Sequence, residues 1–101
     1  MKVDWSEPAE EDLDAIVEYI ARENLQAALD MDGLLRNSAD ELAVFAERGK
    51  PGRIPGTREL IVHKNYILVY VLTPDAVQIV TVLHAARQWP PKKREDAGDL
   101  Q

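Results

Sequence analysis

The sequence predicts a single α+β domain, in which a short strand and two helices precede an antiparallel sheet. Three observations support this fold class. Apolar residues recur at helical spacing in the first half, and stretches rich in Val, Ile, Tyr and Thr follow from Thr57 onward. The length of 101 residues is enough for one core and too short for two. We expect residues 1–91 to form the domain and residues 92–101 to form a charged tail.

The N-terminal segment predicts a strand followed by an amphipathic helix. Lys2–Trp5 is expected to be the strand, and Ser6, Glu7 and Pro8 indicate a helix start, because proline and acidic residues are favoured in the first helical turn. Apolar residues then recur at i, i+3, i+4 and i+7, as Leu13, Ile16, Val17 and Ile20. This stripe predicts the face that packs on the sheet.

A second helix is predicted from Asn24, a suitable capping residue, to about Arg48. Gly49 and Pro51 follow as stop signals. Its predicted apolar stripe consists of Ala28, Met31, Leu35, Ala39, Leu42 and Phe45. Because almost nothing separates the two helices, they are expected to form an antiparallel hairpin.

Three strands are predicted in the second half, at residues 57–63, 66–72 and 77–84. The short connections between them favour an antiparallel meander. The middle strand is apolar on both faces, so we expect it to be central, with helices on one face and a partly covered site or partner on the other.

Charge is distributed unevenly along the chain, whose net charge is −6. Residues 1–47 hold three basic and thirteen acidic side chains, whereas residues 48–94 hold nine basic and two acidic ones. This asymmetry indicates that one half meets an anionic partner, or that the halves meet different partners. For the acidic half, the alternative is that the acidic residues simply form the solvent-exposed side of the helices.

Several classes of function lack support in the sequence. Without cysteine there are no disulfides, thiolate metal sites or cysteine nucleophiles, and a reducing compartment such as the cytoplasm is expected. No Gly-rich phosphate loop, G-x-S-x-G elbow or H-x-x-x-H pair occurs. No apolar run is long enough to span a bilayer. We therefore expect no metal, cofactor or membrane partner.

The segment from Gly52 to Leu60 is the most distinctive local stretch. Two glycines and a proline flank Arg53 and Arg58, which predicts a loop of fixed shape presenting guanidinium groups to phosphates or carboxylates. Lys64 adds a further cation between the next two strands. The alternative is a helix-to-strand connector whose arginines pair within the chain.

A second candidate site follows the last predicted strand, where His84, Arg87 and Trp89 lie within six positions. Histidine can transfer protons near neutral pH, arginine can stabilise phosphorane charge, and an aromatic ring can stack on a base. The structural alternative is that Trp89 covers the sheet edge and Arg87 pairs with an acid. Tyr66 and Tyr70 share one strand face, where core packing competes with a binding role.

Several of these stretches together resemble the RelE/ParE superfamily of type II toxin-antitoxin toxins, its plasmid-stabilisation members in particular. The resemblance covers about residues 1–90, with the last block the most specific. Its motifs are Asp12-Leu13-Asp14-Ala15-Ile16, Tyr19-Ile20, Ala27-Ala28, Gly56-Thr57-Arg58-Glu59-Leu60, Tyr66-Ile67-Leu68-Val69-Tyr70 and residues 82–90. The implied fold is RelE/ParE-like, with the first strand beside the last.

The resemblance implies two activities on one fold, and fold alone does not choose between them. RelE-type toxins cut messenger RNA in the ribosomal A site, and ParE-type toxins block DNA gyrase without cutting nucleic acid. RNA-cutting members have two lysines on the first meander strand, where this chain has Arg58 and Leu60. They have an arginine after the first tyrosine of the next strand, where this chain has Ile67. These differences argue against a RelE-type nuclease. Other nuclease branches use histidine, which keeps His63, His84 and Arg87 as candidates.

We therefore predict a growth-inhibiting toxin that is neutralised in a hetero-oligomer with a cognate antitoxin and that blocks DNA gyrase. Ribosome-dependent messenger cleavage is the alternative, with His84 and Arg87 as the catalytic residues. A non-toxic binding module derived from a toxin is the third possibility. The residues expected to bind the target or the antitoxin are Arg53, Arg58, His63, Lys64, Tyr66, Tyr70 and Trp89.

Overall fold

The computed structural model describes residues 1–86, which form two helices and five strands. Arg87, Trp89 and the predicted tail lie outside the described residues, so their roles stay predictions. In chain order the elements are β1 Lys2–Trp5, α1 Glu7–Ala21, α2 Leu25–Glu41, β2 Lys50–Pro51, β3 Arg58–His63, β4 Tyr66–Leu72 and β5 Ala76–His84.

Both helices begin where the capping residues predict. The Ser6 hydroxyl accepts a hydrogen bond from the Ala9 N–H at 3.1 Å, and the Asn24 side chain accepts one from the Ala27 N–H at 2.9 Å. Each bond satisfies one of the free N–H groups of a first helical turn, an interaction that stabilises a helix by about 1 kcal/mol. The helical hairpin predicted from the sequence is confirmed.

The second helix is shorter than the sequence predicts, since α2 ends at Glu41 rather than near Arg48. Beyond it the chain tightens into turns, in which the Leu42 N–H bonds to the Ala39 carbonyl. Leu42 is still buried and completes the apolar stripe, but Phe45 is 63% exposed. The prediction that Phe45 belongs to the packed face is therefore wrong.

The sheet has the strand order β1-β5-β4-β3-β2. β3, β4 and β5 form the predicted antiparallel meander, and β1 pairs with β5 in parallel, as the resemblance implies. β4 is central, as predicted from its apolar residues. The short β2, which pairs with Arg58 and Glu59 of β3, was not predicted.

The main core lies between the helical hairpin and one face of the sheet. Its fully buried residues include Leu13 from α1, Leu35 from α2, and Leu68 and Tyr70 from β4. Burying a leucine contributes roughly 1.5 to 3 kcal/mol, so this layer fixes the helices on the sheet. Within residues 1–86 we find no helix that is long and apolar enough to cross a membrane.

Candidate functional site

Two histidines and a tyrosine from three successive strands meet at one end of the sheet. His63 ends β3, Tyr66 begins β4 and His84 ends β5, and strand register pairs Tyr66 with both histidines. The His63 and Tyr66 rings are tilted, with centroids 6.1 Å apart. Tyr66 and His84 meet edge to face at 5.4 Å. We call these three residues the His–Tyr–His cluster.

The hydrogen bonds of the imidazoles determine what they offer to a ligand. Nδ1 of His63 accepts the Asn65 N–H at 3.1 Å, and Nδ1 of His84 accepts the Ala86 N–H at 3.1 Å. A neutral imidazole that accepts at Nδ1 carries its proton on Nε2. In this geometry each neutral ring therefore offers a donor, while the lone pair that a general base needs is already engaged.

Beside the cluster lies a groove of about 390 Å³ between α1 and the sheet. Tyr19 of α1 is 65% exposed at this site, whereas Tyr66 is buried. Burial raises the pKa of the Tyr66 phenol, and the neighbouring Tyr19 adds to the shift. The phenol therefore stays protonated at neutral pH. The groove is lined by Asp12, Ala15, Ile16, Tyr19, Tyr66, Val82 and His84.

Asp12 and Ser6 fix the helical wall of this groove against β5. The Thr81 hydroxyl donates to the Asp12 carboxylate, which also accepts a long bond of 3.4 Å from the Val82 N–H. At the cap of α1, the Ser6 hydroxyl donates to the Val80 carbonyl at 3.1 Å. Asp12 begins the first motif of the resemblance, but the sequence did not identify it as a site residue, because Thr81 lies 69 positions away.

The described lining of the groove is acidic and apolar rather than basic. Asp12 is the ionisable acid of the lining, and no lysine or arginine occurs among the described lining residues. Phosphate groups are bound by Arg, Lys or arrays of N–H donors, and a carboxylate repels them. Apolar side chains together with tyrosine, as in this lining, are typical of protein interfaces.

The two predicted binding arginines are used within the chain. The Arg58 guanidinium donates to the Gly49 carbonyl, at 2.6 Å from Nη2, and to the Glu47 carbonyl at 3.0 Å. Nε of Arg53 lies 3.3 Å from a carboxylate oxygen of Glu59, whose side chain is 1% exposed. The Arg53 N–H also donates to Glu59, at 2.9 Å. These contacts agree with the connector alternative for this segment.

Tyr70 has the environment that core packing predicts. It is fully buried. Its hydroxyl donates to the Ala46 carbonyl at 2.8 Å and accepts the Gly49 N–H at 2.9 Å. A Cβ atom at Gly49 would lie 2.7 Å from this hydroxyl, so glycine is required for the close approach.

The remaining predicted cation, Lys64, is exposed in the turn between β3 and β4. Lys50 of β2 is exposed as well, and sequence reasoning did not single it out. Neither lysine forms an ion pair within residues 1–86. Metal-ligating residue types do not gather in groups of three or more anywhere in this part of the chain.

Comparison with known sequences gives one family and two similar relatives. Residues 3–89 match the family described as the ParE toxin of the type II toxin-antitoxin system parDE. The chain is 38% identical over 90 residues to "Putative toxin Y4kP" of Sinorhizobium fredii, covering 88% of this chain and 93% of that protein. It is 38% identical over 86 residues to "Toxin RelE2" of Caulobacter vibrioides, covering 85% and 97%.

Solved structures share the fold. The chromosomal ParDE toxin-antitoxin system from P. aeruginosa contains a chain that superimposes with a TM-score of 0.74 at 24% identity, covering 83% of this chain and 95% of that one. The toxin-antitoxin complex RelBE2 from Mycobacterium tuberculosis contains one with a TM-score of 0.55 at 25% identity, covering 82% and 95%.

Proposed function

Because the chain belongs to the ParE toxin family of type II toxin-antitoxin systems, we propose that it inhibits growth by binding and blocking DNA gyrase whenever its antitoxin is absent. The family match spans residues 3–89, and both relatives are named as toxins. Membership in the RelE/ParE superfamily, which the sequence predicts, is thereby confirmed. DNA gyrase and the ribosome are both located in the cytoplasm, so we expect the chain to act there.

A non-catalytic mechanism is supported by the chemistry of the groove beside the His–Tyr–His cluster. This mechanism is supported mainly by the charge of the groove, because the described lining residues include Asp12 but no lysine or arginine. Cleavage of RNA requires charge stabilisation at the scissile phosphate and a group that accepts a proton. Here the Nδ1 lone pairs of both imidazoles are engaged by backbone N–H groups.

Messenger cleavage at the ribosome is the second candidate, and two observations favour it. One relative carries the name Toxin RelE2 at 38% identity. His84 is exposed and lies against Tyr66, so a bound substrate would find two titratable rings together. In that mechanism His84 and Arg87 would act on the phosphate, and rotation of the imidazole would be needed to free a base.

We further propose that an acidic segment of the antitoxin binds along β3. Beyond Glu59, β3 has no strand neighbour on the β2 side within the described chain, and Ile61 on this stretch is 58% exposed. An unpaired edge accepts an added strand through backbone hydrogen bonds, and an apolar side chain gives it specificity. Lys50 and Lys64 flank the edge and would attract acidic residues.

A pair of assays with the purified chain would test the mechanism. We expect it to stop DNA gyrase from supercoiling a relaxed plasmid, while a messenger on purified ribosomes stays intact. Cleavage of the message with unaffected supercoiling would instead establish the ribonuclease. If a folded chain does neither, the non-toxic binding module becomes the correct alternative.

A further inference from the structure

One face of α2 exposes apolar side chains that no described part of the chain covers. Leu25 is 65% exposed and Leu29 is 55% exposed. They lie at i and i+4, with Gly33 at i+8, and residues at this spacing share a helix face. None of these residues lines the groove beside the His–Tyr–His cluster. We call Leu25, Leu29 and Gly33 the α2 face.

Gly33 provides separate evidence that a partner approaches this face. Glycine in a helix interior lowers helix stability relative to alanine, so it needs a reason. Here a Cβ atom would have nothing within 4 Å, so packing inside the described chain does not require glycine. An approach to the helix backbone from outside the chain does supply a reason, since a residue without a side chain lets a partner come close.

The α2 face is bordered by acidic side chains. Glu10 of α1 binds Arg36 of α2 at 3.1 Å, which shows that this side of α1 lies beside α2. Asp14 and Glu18 follow Glu10 at i+4 and i+8 on α1. Because the helices are antiparallel, this row runs alongside the part of α2 that precedes Arg36, where Leu25 and Leu29 lie.

The acids of this border are not neutralised within residues 1–86. Asp14 and Glu18 form no ion pair there, and neither does Asp30 of α2. From Glu7 to Glu41 the chain holds eleven acidic and two basic side chains. One of the two basic residues, Arg36, is occupied by Glu10 and Asp32.

We propose that the α2 face binds a basic amphipathic helix of another protein, which crosses α2 at Gly33. Its apolar side would contact Leu25 and Leu29, and lysines or arginines at its rim would meet the acidic border. This partner differs from the acidic antitoxin segment proposed above, because its charge has the opposite sign. A second copy of this chain does not fit, since two strongly acidic hairpins would repel one another.

A synthetic helix of leucine and lysine, about five turns long with leucines at i, i+3, i+4 and i+7, is a suitable probe. A peptide of the same composition in scrambled order controls for charge alone. We expect fluorescence anisotropy to give at least tenfold tighter binding of the ordered peptide to the full chain, and weaker binding at high salt.

Variants of the chain then locate the binding surface. Leu25→Ser combined with Leu29→Ser should weaken binding at least tenfold, whereas Leu34→Ser should not, because Leu34 is 40% exposed but lies half a turn round from Leu25. Gly33→Leu should raise the unfolding temperature and still weaken binding at least tenfold, because its side chain would block the crossing point. A folding defect cannot produce that combination.

Three outcomes would overturn the proposal. Equal affinity for the ordered and scrambled peptides would mean that charge alone attracts them. Binding that is absent, or unaffected by the changes at Leu25, Leu29 and Gly33, would exclude this face. Sedimentation that reveals a dimer abolished by the double serine variant would identify a second copy as the occupant. None of these outcomes depends on whether gyrase is the target.

Discussion

The Tyr66 and His84 rings meet nearly at right angles, with 5.4 Å between centroids and 80° between the ring planes. The contact joins the first residue of β4 to the last residue of β5, which are register partners. Aromatic pairs in this arrangement contribute about 0.5 to 1.5 kcal/mol beyond their buried area. The pair therefore stabilises the end of the sheet at which the groove opens.

Replacing Tyr66 by phenylalanine should make the protein less sensitive to alkali. Burial raises the pKa of the Tyr66 phenol above 10.0, so in the folded state it holds its proton at a pH where the unfolded chain has lost it. This contribution to stability is complete below the unfolded pKa and disappears as the pH rises through the folded pKa. Urea unfolding above and below pH 10 measures it.

The matched control for that experiment is Tyr19→Phe, which removes a largely exposed hydroxyl from the same groove. This variant should still lose most of the stability that the wild type loses at alkaline pH. If wild type and Tyr66→Phe lose stability in parallel above pH 10, the Tyr66 phenol is not the responsible group.

Tyr70→Phe should destabilise the fold by about 1 to 3 kcal/mol, the cost of leaving a buried polar group without its partner. The substitution deprives the Gly49 N–H and the Ala46 carbonyl of the hydroxyl that each contacts. Tyr66→Phe at neutral pH is a suitable comparison, because the Tyr66 hydroxyl forms no hydrogen bond within the described residues. Equal free energies of unfolding for the two variants would contradict this role of Tyr70.

Arg53→Met should destabilise the chain because it leaves the Glu59 carboxylate, 1% exposed, without its cation. Loss of one partner of a buried ion pair costs up to roughly 3 to 5 kcal/mol, and the half-exposed Arg53 places this pair below that range. Glu59→Gln in the Arg53→Met background should recover part of the loss. A double-mutant cycle in urea measures the coupling, and strictly additive effects would exclude it.

The helix starts and the positions of all strands except the short β2 were predictable because local chemistry determines them. Ser6 and Asn24 cap the helices through bonds that span three residues, and a continuous run of apolar residues marks β4. The end of α2 was not predictable in the same way. Phe45 continues the helical spacing, but the Ala46 carbonyl is held by Tyr70, which lies 24 residues further along the chain.

The candidate site was predictable only in part, because tertiary pairing assembles it. The sequence identified His63, Tyr66 and His84 separately, and strand register brings their rings together. Asp12 reaches Thr81 across 69 positions, so no local pattern predicts this contact. For Arg53 and Arg58 the sequence could not decide between two roles. A loop that presents arginines to a ligand and a loop that uses them within the chain can have the same residues.

Charge reversal at Lys50 or Lys64 should slow association with an acidic antitoxin segment and reduce its salt dependence. Both lysines are exposed and without an ion-pair partner among residues 1–86, so reversal should leave stability within about 0.5 kcal/mol. Stopped-flow association at several salt concentrations gives the rates. Lys2→Glu, at the other sheet edge, is the control and should change little. Unchanged rates for both reversals would exclude this edge of the sheet as the docking surface.

His84→Gln separates the two mechanisms, because glutamine keeps a hydrogen-bonding side chain but cannot titrate. If the chain binds gyrase through the groove, no proton has to move, and His84→Gln should remain toxic on induction. Tyr19→Ala should lose toxicity, because it removes an exposed ring from the groove, and interface anchors of this kind contribute 2 kcal/mol or more.

If the chain is a ribonuclease, the His84→Gln variant should instead lose toxicity. Loss of a group that acts in the transition state costs about 2.7 to 4 kcal/mol, or roughly a hundredfold to a thousandfold in rate. Growth after induction, with thermal unfolding of each purified variant as the folding control, gives the answer. A folded His84→Gln variant that no longer inhibits growth would reject the gyrase-binding mechanism in favour of RNA cleavage.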